Sequence, residues 1–163
     1  MGITQTTPTA EIDKYIEKQV ERITKALIRN LQYVGERVIN HARSLPSPSA
    51  AAYKGKRIPP HQPNYIDWTV NLRSSIGYVI VCDGKVVTEG GFKVEGNGAD
   101  GAKSGIQYAK EIVRQFPEGI VLVVVAGMEY AAYVTAKGYD VLDSAEILAD
   151  QLVPKFLKQL GFN

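Results

Sequence analysis

The sequence predicts an α+β fold in which a long N-terminal helix and a C-terminal helix pack on a small, mostly antiparallel β-sheet. Three observations predict it: an apolar stripe with helical spacing over residues 10–43, a hairpin pattern around Asp83-Gly84, and the aliphatic run IVLVVVAG at 120–127. The chain has 163 residues, the length of one ordinary domain. We therefore expect a single domain over 1–163.

The first helix is predicted over residues 10–43, after a flexible N-terminus at 1–9. Its apolar residues follow steps of four, four and three, an eleven-residue period that keeps the stripe nearly straight. They are Ile12, Ile16, Val20, Ile23, Leu27, Leu31, Val34, Val38 and Ala42. At about 1.5 Å per residue the helix is about 50 Å long, whereas a compact domain of this size is roughly 30–40 Å across. Part of the helix should project and need a partner; the alternative is a break near Gly35.

The segment at 44–66 is predicted to be an extended loop or arm. It contains five prolines among small and basic residues. Loops of this length inside a compact domain are usually functional or disordered. Tyr53, Lys54, Lys56 and Arg57 are its candidates for contact with an acidic partner, and a solvated loop is the alternative.

Residues 67–142 are predicted to form the sheet region. TVNLRSS reads as a short helix or bend before the first strand, and Asp83-Gly84 supplies the two positive-φ residues of a tight hairpin turn. A glycine-rich loop at 96–105 leads into an inserted helix at 102–116. The run at 120–127 is apolar at both odd and even positions, which predicts a central strand covered on both faces. The last helix is expected at 143–160, with Asp143 and Glu146 as a capping box.

The composition argues against three classes of protein: nucleic-acid binders, proteins with an internal disulfide, and membrane or secreted proteins. The formal net charge is +2, without the strong basic excess typical of nucleic-acid binders. Cys82 is the single cysteine, so an internal disulfide is excluded. Because no long apolar run is present and the first ten residues lack a basic start, we expect neither a membrane span nor a signal peptide, and a cytoplasmic protein.

Few residues suggest catalysis. The segment GNGADGAKSG comes within one residue of a phosphate-binding loop, but Ala102 separates Gly101 from Lys103. His41 and His61 have no second ligand at metal-binding spacing, and Cys82 is expected to be structural. Glu129 and Asp140 stand eleven residues apart, and a solvated pair near a turn is the favoured interpretation. No catalytic residue, metal ligand or cofactor is therefore predicted.

Two short segments carry a resemblance. The first is TVNLRSSI, with Thr69, Asn71, Leu72, Arg73, Ser75 and Ile76; the second is YAAYVTAKG, with Tyr130, Ala131, Tyr133, Val134 and Gly138. In this order and context, the chain resembles the tail-completion, or head-tail joining, proteins of long-tailed bacteriophages and prophages. It departs from that family at Val70, where glycine is usual, which puts a tight turn there in doubt. Thr135 replaces the usual glutamate, and the helix at 102–116 looks like an insertion.

The resemblance implies a structural assembly protein without catalysis. Such proteins form a ring, typically of six copies, between the head-side connector or stopper and the tail tube or tail terminator. The location implied is the virion neck, and the host bacterial cytoplasm during assembly. Membrane partners and sequence-specific nucleic acid are not implied. Interaction candidates outside the loop are Arg73, Tyr130, Tyr133 and Tyr139, since tyrosine is favoured at interfaces; Leu72, Ile76, Val123 and Val125 are expected core anchors.

Two other functions stay open from the sequence. One is a small enzyme that binds nucleotides or phosphates through the glycine-rich loop at 96–105. The other is a nucleic-acid-associated module that uses YKGKR, residues 53–57, and the basic positions of the first helix.

Overall fold

The computed structural model describes residues 8–45 and 65–162. Its elements are α1 (Thr9–Ser44), α2 (Asn71–Ser75), β1 (Ile76–Cys82), β2 (Lys85–Gly91), α3 (Ala99–Val113), β3 (Ile120–Ala126), α4 (Ala131–Ala136) and α5 (Asp143–Gln159). The predicted α+β class, with its antiparallel sheet and inserted helix, is confirmed. Most of the predicted N-terminal segment and of the predicted loop at 44–66, including Tyr53, Lys54, Lys56 and Arg57, lies outside the described residues.

Helix α1 continues through Gly35, so the alternative of a break there is wrong. Because Gly35 has no side chain, it leaves space for the aromatic ring of Tyr78 in the sheet. A Cβ at Gly35 would lie 2.7 Å from Cδ2 of Tyr78, and a Cβ at Gly90 of β2 would lie 2.4 Å from Cε1 of the same ring. The two glycines let Tyr78 pack between α1 and β2.

The sheet has the strand order β2-β1-β3, and both pairings are antiparallel. The hairpin turn is confirmed, with φ of 48° at Asp83 and 75° at Gly84. One detail of the prediction is wrong: the aliphatic strand β3 lies at an edge, and β1 is the central strand. The pattern of apolar residues in a strand shows which of its faces are buried. Both faces of β3 pack against helices, so β3 is apolar throughout, as a central strand would be.

The two faces of the sheet carry separate cores. On one face Ile76, Tyr78 and Ile80 of β1 pack against α1 and α5. On the other face Val79 and Val81 of β1 pack with Val123 and Val125 of β3 against Ala109 and Val113 of α3. The inserted helix therefore builds a second layer, which is why β1 is buried along almost its whole length.

Helix α3 begins at Ala99 and ends at Val113, three residues earlier at each end than predicted. Two glycines of the predicted loop, Gly101 and Gly105, lie inside this helix, where they allow close packing. A Cβ at Gly101 would lie 2.0 Å from the backbone oxygen of Asn71, and one at Gly105 would lie 2.4 Å from the backbone oxygen of Ser75. Close approach to α2 thus explains glycines that local propensity assigns to a loop.

Helix α5 runs antiparallel to α1. Ser144 Oγ lies 2.8 Å from His41 Nε2 near the end of α1, and Leu160 lies beside Leu27 at the other end. The predicted capping box is wrong, because Leu142 occupies the N-cap position. Asp140 Oδ1 accepts the backbone N–H of Ser144 instead, at 3.2 Å.

Candidate functional site

The structure brings the two segments of the resemblance together. Leu72 of α2 and Ala131 of α4 belong to one buried cluster with Tyr65 and Val141. Tyr130, the N-cap of α4, has a pKa raised by burial and by the carboxylate of Asp67, an effect partly offset by hydrogen bonds involving Thr69 and Leu72. The two segments therefore form one structural unit at the end of the sheet.

The first segment acts mainly as a junction. Asn71 Oδ1 accepts the backbone N–H of Gly101 in α3 at 3.1 Å. Ser74 Oγ accepts the N–H of Glu95 at 3.1 Å, and Ser75 Oγ donates to the backbone oxygen of Leu72 at 2.7 Å. Both serines are buried, so these bonds satisfy groups that cannot reach water. This network ties α2 to the start of α3.

Val70 adopts the left-handed conformation, with φ of 61° and ψ of 10°. A β-branched residue is strained there, whereas glycine is not. The tight backbone turn, which the valine put in doubt, is therefore present at this position. Val70 has no side-chain acceptor for the start of α2, and buried Asp67 takes that role, because its Oδ2 accepts the backbone N–H of Arg73 at 2.7 Å.

Arg73 makes its described ion pair within the chain. Its Nη1 lies 3.5 Å from Glu95 Oε2, and its side chain is 20% exposed. Arg43, at the end of α1, pairs with the other oxygen of Glu95 and donates to the backbone oxygen of Lys93. Glu95 therefore links α1 and α2, and Arg73 contributes to that link.

The second segment presents aromatic rings to solvent. Tyr133 is 63% exposed, and Tyr130 and Tyr139 are exposed to a smaller extent. The Lys137 ammonium lies over the Tyr133 ring at 5.2 Å from its centroid. Trp68, at 62% exposure, is a further exposed aromatic residue that was not expected from the sequence. An aromatic residue directly before the first segment was the available signal. The expected core anchors Leu72, Ile76, Val123 and Val125 are all buried.

The apolar stripe of α1 is covered along one half of the helix. Val34, Val38 and Ala42 are at most 1% exposed. Toward the N-terminus the stripe is open: its exposed members are Ile12, Ile16, Val20 and Ile23, at 38–57%. Helix α5 ends beside Leu27, so its packing on α1 stops near that residue. We call these four residues the α1 stripe.

The groups considered for catalysis are dispersed. Gly101, Lys103 and Ser104 lie inside α3, so their backbone amides belong to a helix and not to a loop that could cradle a phosphate. Asp140 caps α5, and His41 contacts Ser144. Burial and the neighbouring Asp83 raise the pKa of the Cys82 thiol, which disfavours the thiolate. Among the described residues, no three His, Cys, Asp or Glu side chains are grouped to hold a metal ion.

The basic positions of α1 that were considered for nucleic-acid contact share one side of the helix. Lys18, Arg22, Lys25 and Arg29 line one side of α1, and Lys25 is paired there with Glu21. The other basic residues considered, at 54–57, lie outside the described ranges. Across 8–45 and 65–162, no helix combines the length and hydropathy required to span a bilayer.

Comparison of the chain with protein families, with curated protein sequences and with solved structures finds no match. The features of the molecule that bear on function are the exposed α1 stripe, the aromatic surface around α4 and the contact between the segments at 69–76 and 130–138.

Proposed function

We propose that the protein is a structural assembly subunit of a phage head-tail interface that forms a homo-oligomeric ring. Its partners are a head-side connector or stopper protein and a tail tube or tail terminator protein. The observation that carries the proposal is the α1 stripe, an apolar surface on a projecting helix. The resemblance of the segments at 69–76 and 130–138 gives the proposal its biological setting.

The α1 stripe supports association for an energetic reason. Short isolated helices are marginally stable in water. The projecting part of α1 is therefore held in helical form by continuity with the packed half of the same helix. Full burial of an aliphatic side chain contributes about 1.5–3 kcal/mol. Four half-exposed aliphatic residues in line therefore favour a protein contact, and a contact between unlike surfaces of neighbouring copies leads to a ring when the rotation closes.

The aromatic surface around α4 supports the same function. Tyr133 projects from α4, whose inner residue, Ala131, is fixed in a buried cluster, and Tyr139 follows that helix. Tyrosine buries a large area while its hydroxyl keeps a hydrogen-bonding option. A rigidly supported tyrosine surface suits a contact that must form repeatedly between copies or with the tail.

The test uses Ile16→Glu, with Lys18→Glu as its matched control. Both positions are exposed on α1, but Ile16 belongs to the stripe and Lys18 lies on the opposite side. Both variants should fold, as judged by circular dichroism. Electron microscopy of tails incubated with each protein should show completed ends for wild type and Lys18→Glu and a loss of completion for Ile16→Glu. Equal completion by the two variants would contradict the proposed role of the stripe.

A further inference from the structure

The free edge of β3 presents a regular row of backbone groups. The N–H of Gly127 bonds to Ser75 O at 3.3 Å, and the N–H of Asp83 bonds to Gly119 O at 2.9 Å. With the observed β1–β3 register, these bonds place the hydrogen-bonded pairs at odd-numbered residues of β3. The N–H and C=O groups of Ile120, Leu122, Val124 and Ala126 therefore point away from β1. Within 8–45 and 65–162, no backbone hydrogen bond is made to them, and no strand pairs with β3 on that side.

This edge lacks the features that usually protect an exposed strand. Its seven residues include no charge, no proline and no bulge. The opposite edge, β2, is different: Lys85 and Glu89 are charged, its pairing with β1 shifts register between Ile80 and Val81, and Gly91 has a φ of 78°. Of the two edge strands, β3 is therefore the one open to further strand pairing.

A cleft of about 450 Å³ runs beside the same edge. Leu31 and Val38 of α1 form its floor, and Ala145, Ala149 and Val153 of α5 form its far wall. The side chains of Ile120, Leu122 and Val124 form the near wall. Leu142 lines this cleft and also the neighbouring cavity beside Val125 and Ala126, toward the Ala126 end of the strand. The part of the edge considered for pairing is therefore Ile120–Val124. Glu146 is the charged residue of the lining.

The helix layer is wider than the sheet that it covers. Packed helices lie about 8–10 Å apart, whereas strands lie about 4.8 Å apart, so two helices cover about four strands. Helix α1 contacts all three strands, but α5 packs mainly on α1. Helix α5 therefore lies over the position that a fourth strand would occupy beside β3.

We infer that this position receives an extended segment of a partner protein, added to the sheet as a fourth strand. The segment is uncharged over about five residues and carries aliphatic side chains at the alternate positions that enter the cleft. An extended backbone satisfies the free groups of Ile120, Leu122 and Val124, which a helix cannot do. The inference concerns β3 and does not rest on the proposed function.

A second folded copy does not fit this position through its own β3. Pairing the two β3 strands about a two-fold axis would bring both α1–α5 layers over the same strands. Four helices would then have to lie about 5 Å apart, half of the usual spacing. An arm without a helix layer of its own avoids the clash, which is why the occupant is an extended segment.

The experiment measures binding of fluorescent synthetic peptides to the full-length protein by anisotropy. The peptides have a core of about five residues that alternates valine or isoleucine with threonine, flanked by serine and glycine. Two derivatives are N-methylated at the odd or at the even core positions. In strand addition one row of peptide N–H groups faces β3 and the other faces solvent. One derivative should therefore lose at least about tenfold in affinity while the other binds like the parent.

Two protein variants locate the site. Ala149→Trp fills the cleft and should weaken binding about tenfold, whereas Asp150→Trp, on the neighbouring exposed position, should leave it unchanged. Amide exchange should slow at Ile120, Leu122 and Val124 when peptide is bound. Failure of every peptide to bind at millimolar concentration, or equal binding of both N-methylated derivatives, would overturn the inference. Self-association of the peptide-free protein that Ala149→Trp abolishes would also overturn it, since a second copy would then be the occupant.

Discussion

At the scale of single residues, Val70 holds a backbone conformation that its own side chain disfavours. The residue stands at a left-handed position immediately before α2. Asp67 supplies the missing cap from three residues upstream, and the short helix places Leu72 in the core. The surrounding contacts therefore impose a conformation that valine alone disfavours.

We predict that Val70→Gly stabilises the protein by about 1 kcal/mol. Relief of left-handed strain is worth about 1–2 kcal/mol, and the greater entropy of glycine in the unfolded chain offsets part of it. Val94→Gly is the control, since Val94 is exposed and has no positive φ. Urea unfolding should show a gain for Val70→Gly and none for Val94→Gly. A loss at position 70 would contradict the argument from strain.

Tyr78 predicts an alkaline loss of stability. Its buried ring carries a hydroxyl that donates to Glu36 Oε1 at 3.0 Å. Burial, and then the bond to Glu36, raise the pKa of Tyr78 above its usual value of about 10. The folded protein thus holds this proton more tightly than the unfolded chain. The stabilisation is complete below about pH 10 and is lost as the pH rises above it.

Tyr78→Phe should therefore reduce the free energy of unfolding near pH 8 by about 1 kcal/mol, through loss of the hydrogen bond. Between about pH 9 and 11 the variant should lose less stability than the wild type. Tyr15→Phe, at an exposed position of α1, is the control. Parallel pH profiles for wild type and Tyr78→Phe, measured by urea unfolding, would contradict the role given to this hydroxyl.

At the scale of elements, the contact between α2 and α3 depends on missing side chains. Gly101 lies so close to Asn71 that a Cβ would meet its backbone oxygen at 2.0 Å. Asn71 also holds α3 by accepting the N–H of Gly101. Helix propensity favours alanine over glycine by about 1 kcal/mol, so packing and propensity make opposite predictions here.

We expect packing to dominate, and Gly101→Ala to destabilise the protein by about 2–3 kcal/mol. Lys103→Ala, two residues later on the exposed side of α3, should change stability by less than about 0.5 kcal/mol. Thermal and urea unfolding of both variants provide the comparison. A Gly101→Ala variant as stable as wild type would mean that α2 and α3 can separate without cost.

The elements also show what the sequence could predict. The eleven-residue period located α1 to within one residue at each end, and Asp83-Gly84 located the hairpin turn. The start of α3 was missed because its glycines serve a contact with a segment 30 residues away, which local patterns do not report. The edge position of β3 was not predicted. Apolar residues at both odd and even positions show that both faces of the strand are buried, but they do not show how many strands pair with it.

At the scale of the whole molecule, the contact between the segments at 69–76 and 130–138 could not be predicted from their order in the sequence. Their inner residues, Leu72 and Ala131, share a buried cluster, while Tyr133 faces solvent. Arg73, expected as an interaction candidate, has its described ion pair inside the chain. The exposed surfaces on which the proposed function rests are the α1 stripe and the tyrosines around α4.

Tyr133→Ala and Tyr130→Ala should differ in their effects. Tyr133 is the more exposed residue, so its removal should change the free energy of unfolding by less than about 0.5 kcal/mol while impairing assembly. Tyr130 lies against the α2 junction, so its removal should reduce stability as well. Urea unfolding combined with counts of completed tails separates the two effects. Normal tail completion by Tyr133→Ala would remove this residue from the contact.

The most direct test of the central claim is cryo-electron microscopy of purified tails and head connectors incubated with the wild-type protein. We predict a closed ring of copies at the junction, in which the N-terminal part of α1, with Ile12, Ile16, Val20 and Ile23, is buried between neighbouring subunits. Tails and connectors without added density, with the protein remaining a single 17.9 kDa chain in the presence of both, would contradict the account.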